Sequence, residues 1–150
     1  IHAYVFGEHG DTSFIPWSGA YVSGVSLDEY YETVEKMGRN VTKIDKDAML
    51  EYVRTSGGQV IANKGATFYA VSVAVCKLVA TILSSSDSVA TVSSMMHGEY
   101  GIEDVCLSTL TLVGPKGVQG KIPMRMTKEE VEKLKASADA LKAVIAQIEH

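Results

Sequence analysis

The loop Gly7-Glu8-His9-Gly10-Asp11 is the segment of this sequence best suited to acid–base chemistry. It places one histidine between two glycines, directly after an apolar segment that is predicted to be a strand. Histidine is the side chain that ordinarily titrates near neutral pH, so it is suited both to give and to take a proton. The glycines allow a sharp turn and a close approach of the backbone to a ligand. Spacing alone leaves three interpretations open: a general acid/base, a metal ligand and a surface histidine.

A metal site is the weaker of the two chemical interpretations. Glu8 and Asp11 offer hard oxygen ligands, but no second histidine or cysteine stands at ligand spacing from His9. The two cysteines, Cys76 and Cys106, also lack the spacing of metal ligands. We interpret both as reduced, half-buried core residues, and this usage of cysteine fits a cytosolic protein.

Two further residues carry a structural and a functional interpretation each. Thr67 stands between two predicted helices, where threonine is a preferred N-cap residue. His2 lies on the predicted first strand, seven residues before His9. Residues an odd number apart point to opposite faces of a strand, so His2 is expected to face away from His9. The default for His2 is an outward-facing surface side chain, and His97 and His150 are interpreted as solvated.

Composition and charge limit the classes of protein to which the chain can belong. The 150 residues are 46% hydrophobic and 21% charged, which is enough for one domain with a core. The net charge of −4 argues against nucleic acid or an anionic membrane as the main partner. The longest apolar stretch, 68–83, is shorter than the ~20 residues of a transmembrane helix. The start at Ile1 predicts a piece of a longer protein without a targeting leader.

The elements predicted to position these residues are helices and short antiparallel strands. Hydrophobic alternation predicts strands over 1–6, 89–96, 105–113 and 122–124. Capping signals and apolar spacing predict four helices, over 27–37, after Asp45, over 68–84 and after Thr127. Within the second helix, Gly57-Gly58 predicts a bend or a close packing contact. The helix over 68–84 is apolar nearly all round and is expected to be central to the core. These elements predict an α+β domain with long helices, and no glycine-rich dinucleotide fingerprint is found.

Several segments resemble the C-terminal half of bacterial L-lactate dehydrogenases, in the lactate/malate dehydrogenase family. The active-site segment of that family is similar to Ile1-His2-Ala3-Tyr4-Val5-Phe6-Gly7-Glu8-His9-Gly10-Asp11-Thr12, and its substrate-threonine segment to Lys64-Gly65-Ala66-Thr67-Phe68-Tyr69. The hairpin Met96-His97-Gly98-Glu99-Tyr100-Gly101 and the turn before Ile122-Pro123 follow in the family's order. The first segment is shared with some malate dehydrogenases, whereas the first two together favour the lactate enzyme. The resemblance covers essentially the whole chain.

The resemblance implies that residues 1–150 form the substrate-binding, catalytic C-terminal domain, with the NAD-binding Rossmann domain outside this chain. The implied reaction is hydride transfer between NADH and a 2-oxo acid, which interconverts pyruvate and L-lactate. His9 would then be the proton donor and acceptor, and Thr67 would help to hold the substrate carboxylate. Val71 would face the nicotinamide.

The resemblance also implies regulation and assembly. The histidine matching His2 helps to bind fructose 1,6-bisphosphate between the subunits of a homotetramer, and the family is cytoplasmic. The family's carboxylate-binding and carbonyl-polarising arginines and the aspartate that orients the histidine lie outside this chain. The segment 39–46 is slightly longer than in many relatives, and Gly57-Gly58 replaces bulkier residues. The alternatives are a malate dehydrogenase of the same family and, for the chain alone, an inactive oligomerisation or binding module.

Overall fold

The computed structural model describes residues 1–148, so the prediction for His150 lies outside the described residues. Its helices are α1 (Leu27–Lys36), α2 (Lys46–Lys64), α3 (Tyr69–Leu83) and α4 (Lys128–Ile145). Its strands are β1 (Tyr21–Val22), β2 (Val25–Ser26), β3 (Ser88–His97), β4 (Glu103–Gly114) and β5 (Gly117–Lys121). No helix within residues 1–148 is both long and apolar enough to cross a membrane.

The strands form two antiparallel sheets. The larger one is a meander in the order β3-β4-β5, with Ser88 opposite Val113 and Met95 opposite Cys106. The smaller one is the two-residue ribbon of β1 and β2. Each sheet joins strands that are neighbours in sequence, as hairpins do, and this confirms the α+β class predicted from the sequence.

Two helices begin where the capping signals predict. The Ser26 hydroxyl accepts a hydrogen bond from the backbone N–H of Glu29, and the Thr127 hydroxyl accepts one from that of Glu130. In both cases the glutamate side chain reaches back to the N-cap backbone, which completes a capping box. The Asp45 side chain caps α2, also as predicted.

The main core lies between the larger sheet, α4 and the first residues of the chain. Met96 of β3, Leu107 of β4 and Leu134 of α4 are fully buried in it. Phe6 and Phe14 join from the N-terminal segment, with their rings edge to face at 6.4 Å. The core therefore joins the beginning of the chain to its last helix.

The prediction that 68–84 forms the centre of the core is wrong. That helix exists as α3, but it has no buried residue in the described part of the chain, and Leu83 is 80% exposed. The apolar composition of α3 indicates that it has a preference for burial, but composition does not say which surface covers it. The interpretation of the cysteines as half-buried is also wrong, since both are free and exposed. Cys76 lies on α3, and Cys106 faces outward from β4 between the buried Val105 and Leu107.

Three local predictions also need correction. Residues 1–6 make no continuous strand. Their isolated bridges go to different partners, because His2 pairs with Tyr21 and Phe6 with Phe14, and the following Gly7 pairs with Ser108. The third strand of the meander is β5 over 117–121 rather than 122–124, and the chain leaves the sheet at Pro123, which has no N–H to donate. The helix α2 continues through Gly57-Gly58, where a Cβ atom would meet open space rather than a close contact.

Candidate functional site

The loop that carries His9 is closed at its base by backbone hydrogen bonds. Phe6 and Phe14 exchange two of them, at 2.8 and 3.0 Å between nitrogen and oxygen. Gly7 exchanges two more with Ser108 of β4, at 3.1 and 2.9 Å. The loop over residues 7–13 is thereby fixed to the central strand of the larger sheet at the point where it leaves the core.

The two glycines of the loop leave room for neighbouring atoms, and Gly7 also adopts a backbone conformation that other residues rarely take. Gly7 has a φ of +99°, and a Cβ atom there would lie 2.7 Å from Oγ of Ser137 on α4. A Cβ atom on Gly10 would lie 2.7 Å from a carboxylate oxygen of Glu8. Both distances are shorter than real Cβ contacts, so each glycine allows another part of the site to approach the backbone closely.

The Glu8 side chain is folded back against its own loop. Its Oε1 accepts hydrogen bonds from the backbone N–H of Thr12 at 3.0 Å and from the Thr12 hydroxyl at 2.8 Å. The backbone N–H of Glu8 donates to Oγ of Ser137 at 2.7 Å, and the two hydroxyl oxygens of Thr12 and Ser137 are 3.1 Å apart. Glu8 is therefore an internal support of the loop, and no group of three potential metal ligands occurs among residues 1–148.

Sequence reasoning missed Thr12 and Ser137 as members of this site. Ser137 is fully buried, and it lies on the apolar face of α4 three residues after Leu134 and next to Ala138. The available signal was a hydroxyl residue on a face that is otherwise apolar, because buried polar side chains require a hydrogen-bond partner.

The His9 side chain itself is exposed, and no hydrogen bond among residues 1–148 uses its ring. Its backbone is held on both sides while its imidazole is free. An exposed imidazole that makes no internal hydrogen bond is available to contact a ligand.

The helix α2 supplies a third attachment of the loop. The guanidinium of Arg54 donates from Nε to the backbone carbonyl of Ser13 at 3.0 Å, and its Nη2 donates to the same oxygen. Together with Ser108 of β4 and Ser137 of α4, Arg54 holds the loop from three elements that are distant in sequence. No hydrogen bond within 1–148 joins the loop to Thr67.

Thr67 is exposed between α2 and α3, and the helix-cap interpretation is wrong. The N-cap residue of α3 is Phe68, with no side-chain cap. No hydrogen bond of the described residues uses the Thr67 hydroxyl, so it is available to a ligand. The turn is shaped by Gly65, at a φ of +82°, and by the ammonium of Lys64, which lies 4.0 Å from the ring centre of Phe68.

His2 lies at the other end of the first segment. Its backbone exchanges two hydrogen bonds with Tyr21, at 2.7 and 2.9 Å, and its side chain is exposed. The same segment therefore positions His2 beside β1 and His9 beside β4.

The half-buried groups with shifted pKa values lie outside this site. Burial lowers the pKa of Lys121, partly opposed by the carboxylate of Glu99, while its ammonium donates to Oγ of Ser94 at 2.7 Å. Burial raises the pKa of Tyr100, whose hydroxyl accepts from the backbone N–H of Met124 at 2.7 Å. Both residues connect strands and loops, and their role is structural.

The fold and the loop together define an α+β domain that presents an exposed histidine on a glycine-flanked loop. The family model for the lactate/malate dehydrogenase alpha/beta C-terminal domain matches residues 1–150, and the chain belongs to this family.

In sequence, the chain is similar to bacterial L-lactate dehydrogenases. The L-lactate dehydrogenase of Acetivibrio thermocellus is 37% identical over 149 residues, which are 99% of this chain and 46% of that enzyme. The L-lactate dehydrogenase of Thermoanaerobacterium saccharolyticum is 40% identical over 149 residues, 99% of this chain and 47% of that enzyme. The chain thus spans about half the length of the curated relatives it matches.

Solved structures agree on the fold. A minor L-lactate dehydrogenase from Enterococcus mundtii, in a ligand-bound form, matches with a TM-score of 0.88 at 30% identity, over 98% of this chain and 46% of that one. A malate dehydrogenase from Archaeoglobus fulgidus in complex with NADH matches with a TM-score of 0.80 at 27% identity, over 99% and 44%. Both the lactate and the malate branches of the family therefore share this domain.

The close approach at Gly7 generates a stability prediction with a matched control. Gly7→Ala should destabilise the fold by at least about 1–2 kcal/mol, because an L side chain is disfavoured at that φ and would collide with Ser137. Gly57→Ala, inside α2 with open space around it, should stabilise by roughly 0.5–1 kcal/mol. Urea unfolding of both variants measures the two effects, and a shift of the same sign for both would contradict the assigned role of Gly7.

Proposed function

We propose that this chain is the C-terminal half of an NAD-dependent L-lactate dehydrogenase that interconverts pyruvate and L-lactate, with His9 as its acid/base. The observation that carries the proposal is the His9 loop, in which hydrogen bonds hold the backbone on either side of an exposed imidazole that has no hydrogen-bond partner among residues 1–148. Membership of the family and the lactate dehydrogenases among the relatives support the substrate.

The proposed role of His9 is to move one proton to or from the substrate oxygen. NAD, when bound, would supply the hydride exchanged with the C2 carbon of the substrate. His9 in its protonated form gives its proton to the carbonyl oxygen as the carbonyl bond opens, so that L-lactate forms and a neutral imidazole remains. In lactate oxidation the neutral imidazole accepts the hydroxyl proton. A histidine suits both directions, because its pKa lies close to physiological pH.

Thr67 is proposed to bind the substrate carboxylate with its free hydroxyl. Val71 lies one helical turn further on and is 52% exposed, so it offers an apolar surface suited to one face of a nicotinamide. The exposed apolar side chain of Val71 fits one side of a coenzyme site. The sequence has no glycine-rich fingerprint for the dinucleotide phosphates. The rest of the NAD site is assigned to the half of the enzyme outside this chain.

The exposed apolar surfaces support a larger assembly. Tyr69 and the four valines of α3 are 46–72% exposed in the chain alone, which is unusual for a continuous apolar helix. We propose that α2 and α3 are covered in the whole enzyme, a cytoplasmic homotetramer whose partners are small-molecule substrates rather than nucleic acid or a membrane.

The substitution His9→Ala tests the proposal directly. In the whole enzyme it should reduce turnover of pyruvate by ~10²–10⁴-fold, the usual contribution of a positioned acid/base, and leave NADH binding nearly unchanged. The matched control is His97→Ala, since His97 is also exposed but lies at the end of β3. Near-normal turnover in the His9 variant would remove that residue from the mechanism.

The malate branch gives a second candidate substrate for the same assay. The malate dehydrogenase neighbour justifies comparing pyruvate with oxaloacetate in the unmodified whole enzyme. The proposal expects a higher kcat/KM for pyruvate, and a preference for oxaloacetate would assign the enzyme to the malate branch. The 150-residue chain alone should oxidise no NADH with either substrate.

The free hydroxyl of Thr67 leads to a prediction about substrate use. A hydrogen bond to a charged group contributes roughly 1.5–3 kcal/mol, so Thr67→Val should lower kcat/KM for pyruvate by roughly 10- to 150-fold. Thr67→Ser keeps the hydroxyl and should retain most of the activity. Loss of thermal stability in the valine variant with unchanged kinetics would refute the substrate role.

The exposed ring of His2 is proposed to contact fructose 1,6-bisphosphate, an activator bound between subunits. An imidazole N–H can donate a hydrogen bond to a phosphate, and the segment 2–9 connects His2 physically to the active-site loop. The bisphosphate should lower the KM for pyruvate, and His2→Gln should weaken that effect without changing the activated kcat. Pyruvate saturation curves with and without the bisphosphate measure both, and identical curves for the unmodified enzyme would contradict the proposal.

A further inference from the structure

The inner face of α4 binds the N-terminal segment at two places. Glu130, Leu134 and Ser137 follow one another at spacings of four and three, so they lie on one side of the helix. The carboxylate of Glu130 accepts from the backbone N–H of Ser18 at 3.0 Å and also from the Ser18 hydroxyl. Ser137, two turns further on, contacts the His9 loop, and the buried Leu134 lies between the two.

The hydrogen bonds at Ser137 form a closed ring with one consistent direction. Each hydroxyl carries one proton, and that of Thr12 has the carboxylate of Glu8 at 2.8 Å as its acceptor. Ser137 then donates to Thr12 across 3.1 Å while it accepts from the backbone N–H of Glu8 at 2.7 Å. The ring starts and ends at Glu8, the residue next to His9, and every hydroxyl in it both donates and accepts.

The position of Ser137 on the buried face of α4 indicates that its hydroxyl serves this ring rather than the helix. Serine is a poorer helix former than alanine, and the next position on the same face is Ala138, which is also buried. The hydroxyl adds little apolar packing. Its oxygen instead occupies the space beside Gly7 that a Cβ atom would otherwise fill.

We propose that Ser137 is a positioning residue for His9, fixing the loop through the hydrogen-bonded ring with Glu8 and Thr12. This inference rests on the proposed function, in which His9 delivers a proton to the substrate. Loss of the ring frees the Glu8 backbone and lets the imidazole leave its reactive position while the fold and the coenzyme site stay intact. A misplacement of a catalytic group by 1 Å can lower the rate by ~100-fold, so loss of the ring is sufficient to slow the reaction.

The test uses the whole enzyme and normalises turnover to the number of NADH-binding sites, so that unfolded protein does not contribute. Ser137→Ala should lower kcat/KM for pyruvate by about tenfold or more, with an unchanged Kd for NADH. Ala138→Gly is the matched control, because it destabilises the same turn of α4 without touching the ring. It should lower the melting temperature but leave the normalised kcat/KM unchanged.

Variants of Thr12 test the ring independently of α4. Thr12→Val removes the hydroxyl at constant shape and should reproduce the Ser137→Ala defect, whereas Thr12→Ser keeps the hydroxyl and should restore activity. The double variant Ser137→Ala/Thr12→Val should be little worse than either single variant, because both break the same ring.

Each alternative result has a defined meaning. Unchanged normalised kcat/KM in Ser137→Ala would overturn the positioning role even if the melting temperature fell. Equal defects in Ser137→Ala and Ala138→Gly would overturn it in favour of general destabilisation. An unmodified enzyme inactive towards both pyruvate and oxaloacetate would overturn the proposed function and this inference with it.

Discussion

The arrangement of this domain depends on the attachment of its first twenty residues to its last helix. The buried carboxylate of Glu130 is the centre of that attachment, because it completes the capping box of α4 and accepts hydrogen bonds from Ser18 at the same time. A buried carboxylate is costly unless its oxygens are satisfied, so the start of α4 and the position of Ser18 are fixed together. Leu134 and Phe6 then fill the core between the two segments.

This attachment explains how a glycine-containing loop becomes a rigid site. A loop containing Gly7 and Gly10 would sample many conformations by itself, and ordering it costs conformational entropy. Backbone bonds to β4, the Ser137 hydroxyl on α4 and the Arg54 guanidinium on α2 each restrict it. The His9 backbone is therefore restrained by separate elements while its ring is left open to solvent, the combination that acid–base catalysis requires.

The long helices α2 and α3 lie outside the core of the domain. The core of residues 1–148 involves α4 and the larger sheet, whereas α3 contributes no buried residue to it. An apolar helix such as α3 is consistent with a chain that spans about half the length of its relatives. Thr67 and Val71 lie on or beside this surface, so the proposed substrate and coenzyme contacts are on the exposed side of the domain.

The sequence by itself determined the four helices, the helix starts at Ser26 and Thr127, and the glycine-flanked His9, because these depend on neighbouring residues. The tertiary structure alone decided the exposure of α3, the outward direction of Cys106 and the division of residues 1–7 among three partners. It also decided that Phe68 takes the N-cap position instead of Thr67, and that Ser137 lies beside Glu8, 129 residues away in sequence. Local spacing determines which helices and turns can form. Packing between segments that are distant in sequence decides which surface covers a helix and which hydroxyl completes a loop.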